Sequence, residues 1–188
     1  MKRLIVIEGF DRCGKDTLLE DLEKNDIFVF KNDLEGLPKY DKEQDNFLEW
    51  LDNYIKWQIK TLNKLFEDHD IIVMSRFLVS DEVYSELFNR KHTVIEHIKD
   101  LRKDVMIFNY CLLFKDYQEY LDRLKIIHDN EIQYSKEDFD KINGLYEKNT
   151  NGYFSYRKWI FSYNTRQEVL DNFMKIYNVI YGKSDRKN

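Results

Sequence analysis

Short apolar runs alternate with longer amphipathic stretches along most of this chain. Continuous apolar character over a short run is typical of strands in a parallel sheet that is covered on both faces. Between these runs, apolar residues recur at steps of three and four positions, which predicts helices that turn one face towards a core. We therefore predict five strands, at 2–8, 27–30, 71–74, 106–114 and 159–163, and helices at 15–25, 45–67, 79–88, 117–127 and 135–148.

Two capping boxes predict further helix starts. Thr93 with Glu96 and Thr165 with Glu168 have the spacing in which each side chain bonds the other residue's backbone N–H. The first helix would run to about residue 102, and the second would end at Gly182. Strands that alternate with helices from end to end predict one α/β domain over 1–188, with a five-stranded, mainly parallel sheet flanked by helices.

Composition and charge narrow the possible partners. The 188 residues carry a formal net charge of −5, which argues against non-specific binding along nucleic acid but allows a local basic pocket for a small anion. No apolar run approaches the roughly 20 residues of a membrane span, and we expect no secretory signal. Cys13 and Cys111 lack metal-ligand spacing and form no disulfide framework. We expect a cytoplasmic protein that binds neither nucleic acid nor membrane.

Residues 9–17, GFDRCGKDT, lie between the first strand and the first helix and have the pattern of a phosphate-binding P-loop. Gly9 and Gly14 allow backbone N–H groups to curl around a polyphosphate. Lys15 adds a point charge, and the helix N-terminus adds its dipole. A P-loop usually has Ser or Thr after the lysine, to bind Mg²⁺ through the hydroxyl, but this chain has Asp16.

Three segments make the chain resemble the thymidylate kinase family of P-loop nucleoside monophosphate kinases. They are EGFDRCGK at 8–15, SRFLVS at 75–80 followed by Val83 and Tyr84, and a segment at 123–146 that is similar to the family's lid. The resemblance implies a three-layer P-loop NTPase fold with a small helical lid at about 123–148. It also implies a homodimer and phosphoryl transfer from ATP, with Mg²⁺, to a deoxynucleoside monophosphate, with dTMP favoured.

The chemistry of phosphoryl transfer suggests roles for the charged residues of these segments. Lys15 would hold the β- and γ-phosphates of the donor, and Arg12 can fork onto the transferring group. Arg76 follows a parallel strand, at the edge where ligands of open α/β sheets bind, and resembles the family's phosphate-binding arginine. With Asp11, these are the candidate catalytic residues. The candidate ATP-binding residues are Gly9, Phe10, Asp11, Arg12, Cys13, Gly14, Lys15, Asp16 and Thr17.

The resemblance also implies an acceptor site, and for several of its residues a structural alternative stays open. Asp11 would contact the sugar hydroxyl or brace the loop through Arg12. Phe77 would stack on the base or pack in the core, and Tyr84 would lie against the sugar or pack in the core. Arg76 would bind phosphate or form a surface salt bridge. The candidate acceptor-binding residues are Asp11, Lys31, Arg76, Phe77, Ser80 and Tyr84.

The chain departs from the family pattern at three positions. Asp16 replaces the Mg²⁺-binding hydroxyl, Ser75 replaces the aspartate before the arginine, and Ser85 stands where the family has Gln. The first two changes suggest that the acidic group moved, so that Asp16 binds Mg²⁺ and Ser75 remains as a small hydrogen-bonding residue. The alternative is that Asp16 is only a charge at a helix N-terminus.

Two other functions remain open from the sequence. A deoxynucleoside kinase shares the fold, but such kinases place a carboxylate where Ser75 stands, and a broad monophosphate specificity is a related alternative. The other function is that of a P-loop protein that binds nucleotide without useful turnover.

For Cys13, two roles stay open from the sequence. Its thiol could have a lowered pKa among the loop N–H groups, or its side chain could simply pack in the core.

Overall fold

A computed structural model describes residues 1–31, 47–125, 133–149, 158–162 and 165–182, with 158–162 described as backbone. The middle of the predicted lid, at 126–132, lies outside these residues, as do the first two residues of the helix predicted at 45–67. In chain order the elements are β1 (Lys2–Gly9), α1 (Lys15–Lys24), β2 (Val29–Phe30), α2 (Phe47–Asp68), β3 (Ile71–Ser75), α3 (Leu78–Leu87), α4 (Val94–His97), a 3-10 turn (Ile98–Asp100), β4 (Val105–Leu113), α5 (Tyr117–Leu124), α6 (Lys136–Asn149), β5 (Lys158–Ser162) and α7 (Arg166–Tyr181).

The sheet has the order β2-β3-β1-β4-β5, and each of its pairings is parallel. The edge strand β2 is only two residues long, whereas the other strands have five to nine. β1 is the central strand, and its neighbour β3 pairs with it in a register that sets Ile7 beside Ser75. The loops that follow β1 and β3 therefore leave the same edge of the sheet next to each other, which is where open α/β folds bind ligands.

Two hydrophobic clusters, one on each face of the sheet, make the three layers. Side chains alternate across a strand, so Ile5 and Ile7 join the cluster under α1, α6 and α7, whereas Leu4 and Val6 join the cluster under α2. All four side chains are fully buried. The α/β fold with helices on both faces of a parallel sheet, predicted from the alternating pattern, is confirmed.

One of the two predicted capping boxes is confirmed and the other is wrong. Thr165 and Glu168 cap α7 reciprocally, and Gly182 ends that helix in a left-handed conformation. Thr93 makes no side-chain cap, and the helix after it is only the four residues of α4. The carboxylate of Asp81 has taken over that role, because it accepts the N–H groups of Thr93 at 2.7 Å and Val94 at 2.8 Å.

In the described ranges, no helix combines the length and the apolar character needed to cross a membrane.

Candidate active site

The P-loop begins at a glycine that the sheet itself requires. Gly9 has φ of +133°, and a Cβ at this position would lie 1.9 Å from the carbonyl oxygen of Leu112 on β4. A side chain would therefore push the central strand away from its neighbour. The loop can leave β1 in this direction only because residue 9 has no Cβ.

Lys15 lies within its own loop. Its side chain is buried, and Nζ donates hydrogen bonds to the carbonyl oxygens of Gly9 at 3.0 Å and Phe10 at 2.5 Å. Gly14, with φ of 91°, precedes α1, and no side chain caps this helix N-terminus. The loop thus places a cation beside a helix N-terminus that no side chain caps, an arrangement that suits a phosphate.

Phe10 anchors the loop to α5, α6 and the residues that precede them. Its buried ring packs at centroid distances of 5.2 to 5.7 Å against four aromatic rings from the β4–α5–α6 region, namely Phe114, Tyr120, Tyr134 and Phe139. A ring that is fully enclosed in this way leaves only the Phe10 backbone to face a nucleotide.

Cys13 is also buried, which decides between the two roles considered for it. Burial raises the pKa of its thiol, and the nearby charge of Lys15, whose Nζ lies 3.6 Å from Sγ, only partly offsets this. The lowered pKa considered from the sequence is therefore wrong, because desolvation outweighs the loop's positive charge. Packing is the role that the structure supports for Cys13.

Two charged candidates from distant parts of the chain meet at the sheet edge. The Arg76 guanidinium forms an ion pair with the carboxylate of Asp11, and both side chains remain partly exposed. Arg76 has a left-handed backbone, with φ of 55°, and its N–H donates to the carbonyl of Ile7 on β1 at 3.0 Å. Arg12 is half-buried and also has positive φ, at 66°. The structure therefore brings Asp11, Arg12, Lys15 and Arg76 to one end of β1 and β3.

Glu8 is the residue of this region to which the sequence motif assigned no role. Its carboxylate is fully buried and accepts four hydrogen bonds from the start of α3. Oε1 accepts the N–H groups of Phe77 at 3.0 Å and Val79 at 3.1 Å, and Oε2 accepts the Ser80 N–H at 3.2 Å and hydroxyl at 2.5 Å. Desolvation raises the pKa of Glu8, and these hydrogen bonds oppose the rise. A charged residue directly after the apolar run of residues 4–7 was the available signal.

The remaining acceptor candidates on α3 are largely used inside the protein. Phe77 is 2% exposed and packs in the cluster under α2, which is the core alternative. The Ser80 hydroxyl is engaged by Glu8 and lies 3.1 Å from the Tyr146 hydroxyl. The Tyr84 hydroxyl is also buried, and burial raises its pKa.

Two candidates lie at the surface near the loop. Asp16 is exposed in the first turn of α1, directly after Lys15. Lys31 follows β2 and pairs with Glu23 of α1 at 2.5 Å. Within the described part of the chain, no group of three or more His, Cys, Asp or Glu side chains is arranged to hold a metal ion.

A small cleft of about 70 Å³ lies on the other side of the P-loop, between α1 and α7. Gly14 and Thr17 line it, together with Asp21, Arg123 and Arg166. Arg166 forks onto Asp21, with Nε 2.6 Å from Oδ2, and this contact lowers the pKa of the Asp21 carboxyl. The cleft continues directly from the α1 N-terminus and carries positive charge.

No protein-family model matches this sequence, and none of the curated proteins matches it either. Solved structures do. The chain is similar to the YorR protein of Bacillus subtilis in complex with phosphorylated GDP, with 22% identity, a TM-score of 0.62 and coverage of 95% of this chain and 98% of that one.

It is also similar to a deoxyadenosine kinase from M. mycoides with the products dCMP and dCDP, at 18% identity and a TM-score of 0.61 over 94% of this chain and 99% of that one. A thymidylate kinase from Candida albicans matches at 15% identity and a TM-score of 0.60 over 97% and 94%. The chain therefore has the fold of the P-loop nucleoside and nucleotide kinases.

Proposed function

We propose that this protein transfers a phosphoryl group from ATP to a deoxynucleoside monophosphate, with dTMP favoured. The observation that carries the proposal is the meeting of the P-loop lysine, the helix N-terminus of α1 and the Arg76–Asp11 pair at one end of β1 and β3. Phosphoryl transfer brings two anions together and depends mostly on positioning and on neutralising charge. A cluster of two arginines and a lysine around one strand end suits that reaction.

The donor would bind along the P-loop. Lys15 would leave its loop carbonyls for the β- and γ-phosphates, and the N–H groups at the α1 N-terminus would bind phosphate oxygens. Arg12 would stabilise the charge on the transferring group. The cleft beside Gly14 and Thr17, with Arg123 on its wall, would contact the part of the donor nucleotide nearest the α1 N-terminus.

Mg²⁺ would bind together with the ATP phosphates. Mg²⁺ keeps several waters and usually takes only one or two carboxylates from the protein in addition to phosphate oxygens. The exposed carboxylate of Asp16, next to Lys15 at the start of α1, fits that requirement. We propose that Asp16 holds the ion, directly or through water, and so compensates for the acidic residue that Ser75 replaces at the end of β3.

The acceptor would bind beside Arg76 and Asp11. Arg76 would exchange part of its contact with Asp11 for the acceptor phosphate, and Asp11 would then be available to a sugar hydroxyl. Lys31 would add a second positive charge, and Tyr84 would lie against the sugar. Phe77 and Ser80 shape this site through the fold, since the ring of Phe77 and the hydroxyl of Ser80 are engaged within the protein.

A deoxynucleoside kinase is the second candidate. The deoxyadenosine kinase from M. mycoides covers this chain as completely as the thymidylate kinase does, at nearly the same TM-score. In that case Asp11 and Arg76 would contact a nucleoside and the transferring phosphoryl group, without an acceptor phosphate.

The test is a panel of deoxynucleosides and their monophosphates, each incubated with ATP and Mg²⁺ and read by ADP release. We expect the highest kcat/KM with dTMP. The highest activity with an unphosphorylated nucleoside would replace the first candidate with the second. ATP binding without ADP from any acceptor would overturn both and leave a nucleotide-binding protein without turnover.

We also propose a homodimer. Large apolar side chains at the start of α2, the end of α3 and in α4 are 40 to 56% exposed, namely Phe47, Leu48, Phe88 and Ile95. Arg90 lies 6.0 Å from the ring centroid of Phe47, so the α2 and α3 ends are neighbours on the surface. Exposed apolar side chains close together are typical of an interface. Light scattering should give twice the monomer mass of 23.1 kDa.

A further inference from the structure

The Glu8 carboxylate has no acceptor capacity left for a substrate or a metal. A carboxylate offers about four lone-pair positions, two on each oxygen. Each Glu8 oxygen already accepts two hydrogen bonds, all from Phe77, Val79 and Ser80. Because the residue is fully buried as well, it cannot touch the reacting groups without dismantling these contacts. Its function must therefore be exerted through α3.

Glu8 restrains the backbone at Arg76 through Phe77, the next residue in the chain. Phe77, immediately after Arg76, donates its N–H to the Glu8 carboxylate, while Arg76 itself donates its N–H to Ile7. Consecutive residues of β1 thus bind consecutive residues of the β3–α3 turn. A left-handed backbone is strained at a residue with a side chain and persists only where surrounding contacts impose it. Arg76 is such a residue, with φ of 55°.

The same network reaches α6. The Ser80 hydroxyl donates to Glu8 and lies 3.1 Å from the hydroxyl of Tyr146 on α6, which is also fully buried. Buried polar networks that are fully satisfied fix one arrangement of the elements they join. β1, α3 and α6 are therefore held in one geometry by Glu8 and its partners.

We infer that Glu8 is a positioning residue for the transfer reaction, which fixes the Arg76 turn against the P-loop. This inference rests on the proposed function. Glu8 and the P-loop belong to one continuous segment, so a carboxylate that grips the start of α3 sets the distance between Arg76 and the phosphates that Lys15 binds. A displacement of about 1 Å in such a group can lower a rate by about a hundredfold.

The experiment compares Glu8→Gln with a matched control, Asp81→Asn. Gln keeps the size of Glu but replaces one accepting oxygen with an N–H₂ group that faces the Ser80 donors. Asp81, on α3 itself, is also buried and also accepts two backbone N–H groups, but at the start of α4, which carries no candidate site residue. It also pairs with Arg90 at 3.0 Å, so its loss should affect stability. Four quantities are measured for each protein: kcat, KM, the affinity for ATP, and the rate of amide hydrogen exchange at residues 77–80.

We expect Glu8→Gln to lower kcat by about ten- to a hundredfold and to speed exchange at 77–80, while ATP affinity stays within about twofold. Asp81→Asn should lower the melting temperature but leave kcat unchanged. Ser80→Ala, which removes one of the four contacts and is the milder substitution if Glu8→Gln does not fold, should lower kcat by about three- to tenfold.

Four results would contradict the inference. Normal kcat in Glu8→Gln, or in Ser80→Ala where that is the variant that folds, would overturn it. A fall in kcat without faster exchange at 77–80 would mean that Glu8 acts on the reaction directly. An equal fall in Asp81→Asn would reduce its role to general stability. A wild-type protein that transfers phosphate to no acceptor would overturn the proposed function first, a result that is distinct from an active wild type with an equally active variant.

Discussion

The N-termini of α1 and α3 follow neighbouring parallel strands, and each is preceded by a residue with positive φ, Gly14 before α1 and Arg76 before the start of α3. The two N-termini differ in whether a side chain binds their backbone N–H groups. No side chain caps α1, whereas the buried carboxylate of Glu8 binds the first N–H groups of α3. Helix N-termini attract anions, so the first can bind an anion from outside and the second is filled by the protein's own anion.

Because of this difference, the α1 N-terminus is suited to binding an anion and the α3 N-terminus to positioning Arg76. The α1 terminus has Lys15 hydrogen-bonded to two loop carbonyls, contacts that a phosphate can replace. The α3 terminus has a carboxylate with every accepting position used. A filled terminus cannot bind a ligand, but it can hold the residue before it, Arg76, at a constant place. The three predictions below test each side of this comparison.

The largest effect should follow from Gly9→Ala. Gly9 is the last residue of β1, the strand that leads into α1 and pairs with β3, which leads into α3. The new Cβ would lie 1.9 Å from the Leu112 carbonyl oxygen, in a backbone conformation that disfavours side chains. We expect a loss of more than about 3 kcal/mol in the free energy of unfolding, measured by urea denaturation. The control is Gly144→Ala in α6, where no atom lies within 4 Å of the added Cβ and a gain of about 0.5 to 1 kcal/mol is expected. Equal stability of the two variants would contradict the close packing of β1 on β4.

Lys15→Met should abolish most of the chemistry at the α1 terminus. Removing one charge that stabilises the transferring phosphates typically costs about 100- to 1,000-fold in kcat. The measurement is ADP release at saturating acceptor, with Lys24→Met as the control, because Lys24 lies at the other end of α1 and is largely exposed. A Lys15→Met protein that keeps wild-type turnover would show that the α1 terminus is not the donor site.

The smallest effect concerns the surplus of carboxylates around α3. Desolvation, and then the charges of Asp81, Glu8 and Glu86, raise the pKa of Glu82 to about 7, against which Lys148 acts. The folded protein therefore binds this proton between about pH 4.5 and 7 where the unfolded chain does not, so the contribution to stability is lost as pH rises through 7. Glu82→Gln should match the wild-type melting temperature near pH 5 and exceed it at pH 8. A difference that stays constant with pH would show that Glu82 titrates normally.

Much of the architecture was predictable because it depends on local pattern. The strands and the longer helices follow from apolar periodicity, and within the described residues they agree with the structure to within a few residues at their ends. The capping box of Thr165 and Glu168 was predictable because both partners lie within one turn. The equivalent spacing at Thr93 failed because Asp81, from another helix, binds the same N–H groups.

The candidate site divides in the same way. The P-loop pattern identifies Gly9, Gly14 and Lys15 because their task depends on residue type and spacing along a continuous segment. The partners of Glu8 lie about seventy residues away, and those of Asp11 almost as far. No local signal assigns Ser80 to Glu8 or Asp11 to Arg76.

The sequence by itself determined an α/β chain with a phosphate-binding loop, because hydrophobic periodicity and the Gly-Lys spacing act over a few neighbouring residues. Only the tertiary structure decided which helix N-terminus is uncapped and which is filled. That outcome depends on the parallel register of β1 and β3, which sets Ile7 beside Ser75 and brings a buried carboxylate within reach of α3. Because the Glu8 carboxylate is buried, all of its hydrogen-bond donors must come from the protein, and the N-terminus of α3 supplies them.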